Sequence, residues 1–412
     1  MIEKEIICAI DIGTTKIATL IAEMDEGTYN IIGIGESKSS GLDKGVIVDV
    51  DKTVKSINKS LDIAKKQAEI EIDTAIVGIT GQHVLGINYH GVISIGSNND
   101  RSIGQEINAN DIDRVKDQAR SIHLPSDIKI LHVLNQEYVI DDKEGIQNPI
   151  GLSGSTLRSK VHLVTIDNNA ERDLRASLEK SGLNVDSFVL EPLASAYSIL
   201  DEHEMKLGVI VIDIGGGTSD MIVFKNNGVL HTIAIPYGGD SISTDLAYFL
   251  RCSKEEAERI KIEFGTSKSS LLDESQLITY RTTKDEKENN EYLKKISNVI
   301  EMRMREIFLA HKKELEKIKY DNSHSLGVVL TGGGSNLDNI IDLAREVFEL
   351  PVRLGSPKNI SGIGNDLDTP RYSTLLGLLE YYCQYPKEKF KSNNDVFGDI
   401  INTIKNFIKK LY

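Results

Sequence analysis

The chain has 412 residues, a formal net charge of −14, 40% hydrophobic residues and 27% charged residues. Because this length exceeds what one hydrophobic core supports, we expect two or more subdomains. The acidic balance argues against nucleic-acid binding as the main activity. The three cysteines are far apart and neither a metal spacing nor a signal peptide is recognisable, so the composition predicts a protein of the reducing cytoplasm.

The first predicted elements are three strands, with a glycine loop between the first two. Residues 5–10 predict a buried strand that ends in the motif Asp11-Ile-Gly-Thr-Thr-Lys16. The two further strands of this meander, the helix after it and the next strand are predicted at residues 17–21, 30–34, 51–68 and 74–79, with Asp51 as the helix cap.

Residues 84–165 predict an insertion with its own sheet and one helix. Strands are expected at residues 84–95, 129–140 and 159–166, and a helix capped by Asn110 or Asp111 lies between the first two. No set of residues in this stretch suggests catalysis. Contact with another protein and a purely structural role are therefore both open.

An acidic residue stands where the chain returns from the insertion. After a predicted helix at 169–181 and a strand at 185–190, Glu191 and Pro192 begin another helix. Glu191 could point into a cleft between two halves of the protein. Equally, it could be a first-turn acid that the helix dipole favours.

The meander and its glycine loop occur a second time, at residues 208–235. Residues 209–212 predict a strand buried on both faces, and Asp213, three glycines and Thr218 follow it. Glycine allows backbone N–H groups to approach an anion closely. That anion would repel Asp213 unless a cation lay between them, so the pattern indicates phosphate, divalent metal and carboxylate together. A glycine-rich hairpin turn is the alternative, and the repeat of Asp-Ile-Gly at Asp11 argues against it.

Two features follow in the second half of the chain. A predicted helix capped by Ser253 carries Glu258 and Lys261 at positions i and i+3, a spacing that also fits a surface ion pair. Residues 266–290 are polar and without periodicity, which predicts a long mobile loop.

A third glycine loop follows a predicted long helix at 292–318. A buried strand at 326–330 runs into Thr331-Gly-Gly-Gly-Ser335, and we expect a helix to begin near Leu337. Strand, triple glycine and helix form an arrangement in which the N–H groups of the helix start bind an anion.

The end of the chain combines a polar linker at 386–395 with an amphipathic helix at 396–412. The apolar positions that fall within an arc of roughly 120° are Phe397, Ile400, Ile401, Ile404, Phe407, Ile408 and Leu411. Lys405, Lys409 and Lys410 lie outside that arc. This pattern favours a helix in a membrane interface, with its lysines at anionic headgroups, over a terminal helix docked on the core. The segment is too short to span a bilayer.

Two Asp-Ile-Gly loops, a third glycine loop and a duplicated meander resemble the superfamily of actin, hexokinase and the heat-shock chaperones. The resemblance implies an α/β actin-like ATPase fold, in which two duplicated RNase H-like halves enclose a nucleotide in their cleft. Residues 131–142 and 148–154 resemble the inserted α+β subdomain in the first half of the FtsA family of bacterial cell-division proteins. The C-terminal helix resembles the membrane anchor of that family.

The resemblance also implies a division of the chain into subdomains. The first half (1A) would comprise residues 1–83, 166–203 and 370–385, and the inserted subdomain (1C) residues 84–165. The second half would comprise 204–240 and 306–369 (2A) together with subdomain 2B at 241–305. The linker at 386–395 and the membrane-targeting helix at 396–412 would complete the chain.

Site residues are implied position by position. The two phosphate loops match Gly13, Thr14, Thr15, Lys16, Gly215, Gly216, Gly217 and Thr218. Asp11 and Asp213 match the carboxylates that hold Mg²⁺ through water. The adenosine side matches Glu258, Lys261, Gly332, Gly333, Gly334 and Ser335. Glu191 matches the residue that orients the attacking water in chaperone relatives, which makes it the candidate catalytic residue.

The family resemblance implies a protein that binds ATP and Mg²⁺, polymerises head to tail and anchors filaments of the tubulin-like protein FtsZ during septum assembly. It would be a peripheral protein at the cytoplasmic face of the membrane, with at most slow ATP hydrolysis. The implied partners are the tail of FtsZ at subdomain 2B, further copies of the chain, anionic inner-membrane lipids and other division proteins, with no nucleic acid.

One segment departs from the family pattern. The polar stretch at 266–290 lies in the subdomain that would dock FtsZ, where the family pattern is more apolar.

Two other functions are compatible with the same fold. A small-metabolite kinase is one alternative, but no separate aspartate is placed as its catalytic base. A chaperone-type ATPase is the other, but about 30 residues after the last predicted globular helix leave no room for a peptide-binding domain.

Overall fold

A computed structural model describes residues 5–25, 28–96, 104–283, 288–321, 325–358, 360–363 and 366–385. The predicted linker at 386–395 and the predicted membrane helix at 396–412 lie outside the described residues. Of the helices that the structure describes, none is long and apolar enough to cross a membrane.

The chain begins with an antiparallel meander, a helix and a parallel strand. These elements are β1 (Glu5–Ile12), β2 (Lys16–Asp25), β3 (Thr28–Lys38), the short pair β4 (Leu42–Asp43) and β5 (Val46–Ile47), α1 (Val50–Ala68) and β6 (Thr74–Ile79). The N-cap of α1 is Asp49, whose carboxylate accepts a hydrogen bond from the Lys52 N–H, and not the predicted Asp51. The face of α1 that carries Ile57, Leu61 and Ala64 is buried.

The inserted segment forms a four-stranded antiparallel sheet covered by one helix. Its elements are β7 (Val84–Ser94), β8 (Gln105–Glu106), α2 (Ala109–Arg120), β9 (Ile128–Ile140), β10 (Lys143–Ile146), β11 (Ser153–Gly154) and β12 (Thr156–Asp167). The strand order is β10-β9-β12-β7. The N-cap of α2 is Asn108, so neither predicted cap, Asn110 nor Asp111, is right, and Asp111 instead completes a capping box from the third helical position.

The chain then returns to the first sheet through α3 (Asn168–Lys180), β13 (Asn184–Leu190) and α4 (Glu191–Ile199). Strand β13 pairs in parallel with β6, and β6 pairs in parallel with β1. The first sheet therefore has the order β13-β6-β1-β2-β3. Glu191 begins α4 directly after β13, as predicted.

The second half repeats this plan. Its elements are α5 (Glu202–Leu207), β14 (Val209–Ile214), β15 (Ser219–Lys225), β16 (Gly228–Ile235), α6 (Gly239–Leu250), α7 (Lys254–Phe264), β17 (Leu277–Arg281), β18 (Glu288–Tyr292), α8 (Leu293–Lys317), β19 (Val328–Thr331), α9 (Ile340–Phe348) and β20 (Val352–Leu354). The chain then returns to the first half with α10 (Ser373–Gln384), which packs on α4 and β1. The second sheet has the order β20-β19-β14-β15-β16. Each sheet is thus an antiparallel meander extended by two parallel strands, which confirms the predicted duplication and the α/β fold class.

Two predictions for the second half are wrong. Residues 266–290 are not one long loop, because β17 and β18 pair as an antiparallel hairpin from Leu277↔Tyr292 to Arg281↔Glu288. Only Ile278 and Tyr280 turn inward on β17, so the apolar alternation is too short to recognise in a polar sequence. The helix expected near Leu337 begins at Ile340, since residues Gly333–Asn336 form a 3₁₀ turn.

The inserted sheet also contacts β16, the outer strand of the second sheet. The His162 imidazole lies between Asn88 Oδ1, at 2.7 Å, and Thr232 Oγ1 on β16, at 2.8 Å. The Gln136 amide donates to the carbonyl of Val229 at 2.8 Å. These side chains cover an edge strand whose backbone would otherwise be open to another chain. We call Asn88, Gln136, His162 and Thr232 the clasp.

The outer strand of the first sheet is covered differently. Residues 360–363 run beside β3, where Ile31 N donates to Ser361 O and Ile363 N donates to Ile31 O, each at 2.9 Å. Both sheets therefore have a protected outer edge, one through a late segment of the chain and the other through the insertion.

Candidate nucleotide-binding cleft

The two Asp-Ile-Gly loops face each other across the cleft between the halves. A Cβ at Gly216 would lie 2.4 Å from Thr15 Cγ2, and a Cβ at Gly217 would lie 2.4 Å from Thr14 Oγ1. Glycine is therefore required for the loops to approach this closely. The structure thus brings together the residues that the sequence predicts for the two phosphate loops.

Both loops close with the same hydrogen bond. Gly13 N donates to Lys16 O at 2.9 Å in the first loop, and Gly215 N donates to Thr218 O at 3.0 Å in the second. In the second loop, Gly239 N at the start of α6 also donates to Gly215 O at 2.9 Å. Equivalent positions of the two halves therefore have equivalent local structure, which is what a duplicated site requires.

Lys16 and Asp11 provide the charges of the first loop. The Lys16 ammonium lies 3.6 Å from Asp11 Oδ2, donates to Arg371 O at 3.0 Å and stands 4.5 Å from the centre of the Tyr372 ring. Burial raises the pKa of Asp11, and the Lys16 charge counteracts that rise. An anion placed between the loops would meet this cation from the first half.

Asp213 is buried at the end of β14 and is held by two hydroxyl groups. Ser195 Oγ donates to Asp213 Oδ2 at 2.5 Å, and Thr374 Oγ1 donates to the same oxygen at 3.2 Å. Burial raises the pKa of Asp213 to about 6, the two hydroxyl donors oppose that rise, and the nearby charge of Asp11 adds to it. The two predicted metal-binding carboxylates are thus within electrostatic reach of each other.

The donor set of the cleft fits Mg²⁺ only together with a nucleotide. Among the described residues, no group of three or more His, Cys, Asp or Glu side chains is placed to hold a metal ion by itself. Mg²⁺ in phosphate sites takes one or two carboxylates and completes its six ligands with water and phosphate oxygens. Asp11 and Asp213 supply those two carboxylates, so the residues present fit a nucleotide-bound Mg²⁺.

Glu191 lies deeper in the same cleft. Its side chain packs on Gly78, where an added Cβ would lie 3.1 Å from Glu191 Cγ. Burial and then the neighbouring carboxylates of Asp11, Asp220 and Asp213 raise the pKa of Glu191 well above its usual range. A cavity of about 20 Å³ adjoins it, which is room for about one water molecule. Glu191 is therefore both a first-turn acid of α4 and a residue of the cleft.

The predicted adenosine-side pair also reaches the cleft wall. Glu258 and Lys261 form an ion pair of 2.7 Å on α7. This distance alone would also fit the alternative interpretation, an ion pair on the protein surface. However, only 12% of the Lys261 side chain is exposed, and its ammonium donates to Gly239 O at 2.9 Å and Ser243 Oγ at 3.0 Å. The pair therefore holds the start of α6 beside the second phosphate loop.

The third glycine loop packs directly on the second. Gly332 has φ = +80°, and a Cβ there would lie 2.2 Å from Asp213 Oδ1. Ser335 Oγ donates to Gly332 O at 2.7 Å, and a Cβ at Gly334 would lie 2.4 Å from Ile214 Cγ2. Gly333 is the open position, since its nearest neighbour would be Arg371 Cγ at 3.9 Å.

Three residues of the cleft were not predicted from the sequence, namely Asp220, Ser195 and Thr374. Asp220 is buried on β15 and accepts hydrogen bonds from Thr80 at 2.6 Å and Thr218 at 3.1 Å. A charged residue within the buried strand β15 was a signal that could have found Asp220. Ser195 and Thr374, which hold Asp213, gave no such signal because buried hydroxyls are common in helices.

Solved structures with this fold share little sequence with the chain. The type IV pilus complex of PilM and PilN matches with a TM-score of 0.65 and 13% identity, covering 90% of this chain and 97% of that one. MreB5 of Spiroplasma citri bound to ADP matches with a TM-score of 0.56 and 15% identity, covering 94% and 99%. These likenesses support the actin-like fold.

Sequence comparisons identify the family. A model described as cell division protein FtsA matches residues 210–377, and one described as the SHS2 domain inserted in FtsA matches residues 81–165. The cell division protein FtsA of Pseudomonas aeruginosa is 39% identical over 381 residues, which are 92% of this chain and 90% of that protein. The chain belongs to the FtsA family of cell division proteins.

Other members of the FtsA family agree with this assignment. The FtsA proteins of Neisseria meningitidis and Escherichia coli K12 are 36% and 34% identical, covering 93% and 92% of this chain and 91% and 90% of their own lengths. The range of the SHS2 model contains β7 to β11 and all of β12 except its last two residues. The inserted sheet is therefore the SHS2 domain of the FtsA family.

Proposed function

We propose that the chain is an ATP-binding cell-division protein that assembles head to tail on the cytoplasmic membrane face and anchors FtsZ filaments there. The observation that carries the ATP-binding part is the pair of facing glycine loops, each with a buried carboxylate at its strand end. Family membership supports the role in cell division.

The nucleotide would bind with its phosphates between the two loops. Lys16 would approach the phosphates from the first half, and Asp11 and Asp213 would hold the water shell of Mg²⁺. The adenosine would lie between the third loop, at 332–335, and the Glu258–Lys261 pair. The structures of MreB5 bound to ADP and to AMPPNP are examples of this fold with a nucleotide.

Glu191 would act on water in this site. When bound, Mg²⁺ supplies positive charge that stabilises the developing charge on the phosphate oxygens. The cations of the occupied cleft would lower the raised pKa of Glu191, so that its carboxylate could accept a hydrogen bond from a water in the adjoining cavity. Such a group orients water, and slow turnover is enough for a nucleotide that serves to close the halves.

The membrane and FtsZ contacts rest on different parts of the chain. The amphipathic pattern of residues 396–412 supports binding to anionic lipid. Subdomain 2B, at 241–305, would receive the tail of FtsZ. The exposed apolar side chains available for this contact include Tyr248, Phe249, Ile262, Phe264, Leu277 and Met302.

Two experiments test this function. Calorimetry with ATP and Mg²⁺ should give binding to the wild type and none to Asp213→Ala, and full affinity of the variant would show that the cleft is wrongly assigned. Pelleting with anionic vesicles, ATP and FtsZ should recover protein and FtsZ together. Removal of residues 396–412 should leave both in the supernatant, and unchanged co-sedimentation would contradict the membrane anchor.

A further inference from the structure

The two carboxylate oxygens of Asp213 have different surroundings. Oδ2 accepts the hydrogen bonds from Ser195 and Thr374, and the two hydroxyl oxygens are themselves 2.9 Å apart. Oδ1 lies against Gly332, where an added Cβ would be 2.2 Å away. One oxygen is therefore fixed by side chains, while the other lies at the third glycine loop. We call Ser195 and Thr374 the hydroxyl pair.

The hydroxyl pair comes from the two helices that connect the halves. Helix α4 leads from β13 of the first sheet toward the second sheet, and α10 follows the second sheet and packs on α4. A Cβ at Gly377 would lie 1.8 Å from Ala194 O, so the helix backbones are in direct contact beside the hydroxyl pair. Both helices contact strands of the first sheet, whereas Asp213 lies on β14 of the second, so a rotation of one half relative to the other changes the geometry of the hydrogen bonds between the hydroxyl pair and Asp213.

We infer that Ser195 and Thr374 are positioning residues for Asp213, which fix Oδ2 so that Oδ1 can serve the water shell of the nucleotide-bound metal. This inference rests on the proposed binding of Mg²⁺ and ATP. A hydroxyl that donates to a carboxylate stabilises its ionised form, which is the form that attracts a cation. The same two bonds connect occupancy of the metal site to the helix crossing between the halves.

A purely structural role for these hydroxyls makes a different prediction, and Ser198 provides the comparison. Ser198 Oγ donates to Ser195 O at 2.9 Å and to Ser373 O at 2.8 Å. It is buried between the same two helices, but neither of these bonds involves Asp213. Loss of the Ser198 hydroxyl should weaken the helix crossing without releasing Asp213.

The test compares Thr374→Val, Ser195→Ala and the control Ser198→Ala in the full-length protein. ATP affinity is measured by calorimetry with Mg²⁺ and again with EDTA, and thermal melts are recorded under both conditions. Removal of a hydrogen bond to a metal-binding side chain typically costs 10-fold or more in metal affinity. We define the affinity ratio as the ATP affinity with Mg²⁺ divided by the ATP affinity with EDTA. We expect this ratio to fall about tenfold in Thr374→Val and Ser195→Ala.

The control and the conservative variant complete the design. Ser198→Ala should lower the melting temperature and leave the affinity ratio at the wild-type value, while Thr374→Ser should restore the ratio. The inference is overturned if Thr374→Val and Ser195→Ala melt earlier but keep the wild-type ratio. If the wild type shows no Mg²⁺-dependent ATP binding, the proposed function fails and the inference fails with it. For a variant that is too unstable for calorimetry, the readout is the increase in melting temperature that Mg²⁺ causes in the presence of ATP.

Discussion

Thr80 donates a hydrogen bond of 2.6 Å to Asp220 and so joins the two halves at the base of the cleft. Thr80 directly follows β6 of the first sheet, whereas Asp220 lies on β15 of the second. Asp220 is only 3% exposed, and its other oxygen accepts from Thr218. The bond is therefore a buried contact between the halves, close to the two facing glycine loops.

Thr80→Val should destabilise the protein because it leaves one oxygen of Asp220 without this donor. A buried group that loses its hydrogen-bond partner costs about 1–3 kcal/mol, and we expect the free energy of unfolding in urea to fall by that amount. Thr244→Val is a suitable control, since Thr244 is exposed and its hydroxyl donates to the Asp240 carbonyl of its own helix. Equal effects of the two substitutions would contradict this account.

The buried carboxylates should make the nucleotide-free protein less stable as the pH rises. Burial raises the pKa of Asp220 to about 7 and that of Asp213 to about 6, from an ordinary value of 3.8. Between pH 4 and 7 the folded state therefore binds more protons than the unfolded state, and each group lowers stability by up to about 1.4 kcal/mol per pH unit.

Asp220→Asn provides the measurement of this pH dependence. The amide does not ionise, so urea unfolding of the variant from pH 5 to 8 should show a smaller loss of stability than the wild type. The buried histidines contribute in the opposite direction, a gain in stability as the pH rises. Because both proteins contain these histidines, their contribution cancels when the wild type and the variant are compared at each pH. Parallel curves for the two proteins would show that Asp220 does not titrate in this range.

Gly332→Ala should disrupt the contact between the third loop and Asp213. Gly332 has φ = +80° and its added Cβ would meet Asp213 Oδ1, so both backbone strain and a clash oppose the substitution. We expect a loss of more than about 1 kcal/mol in stability and a weaker affinity for ATP. Gly333→Ala is the matched control, since its Cβ would make only an ordinary contact at 3.9 Å. Equal free energies of unfolding of the two variants would contradict the packing that we describe.

His162→Leu should open the clasp without affecting the first sheet. Burial lowers the pKa of His162 to about 3, so the ring is neutral at pH 7 and bridges Asn88 and Thr232. Without it, the amides of β16 should exchange hydrogen faster, while those of β2 should keep their wild-type rates. His90→Leu, an exposed position on β7, is the control. Unchanged exchange in β16 would show that the clasp does not protect that strand.

The duplicated meander could be predicted because its residues repeat along the chain. Asp11 and Asp213 each follow a run of buried strand residues and each precede Ile-Gly, so the pattern indicates both position and chemistry. The closeness of the two loops follows from the duplicated fold, and the glycines at positions 216 and 217 are the residues that allow it.

The contacts that hold the carboxylates could not be predicted in the same way. Ser195 and Thr374 are 179 positions apart, and only the crossing of α4 with α10 brings their hydroxyls together. The hairpin of β17 and β18 was missed because it buries few side chains. The helix start near Leu337 was missed because the glycines that favour a helix N-terminus first form a 3₁₀ turn.

The covering of the two sheet edges means that neither half is a self-contained fragment. The outer strand of the first sheet bonds residues 361 and 363, which come after every strand of the second sheet. The outer strand of the second sheet is covered by the insertion within the first half. A protein cut between α4 and α5 would leave each piece with an open strand edge. Because each half needs a segment of the other to cover its outer strand, the two halves fold together, although their sheets have the same topology.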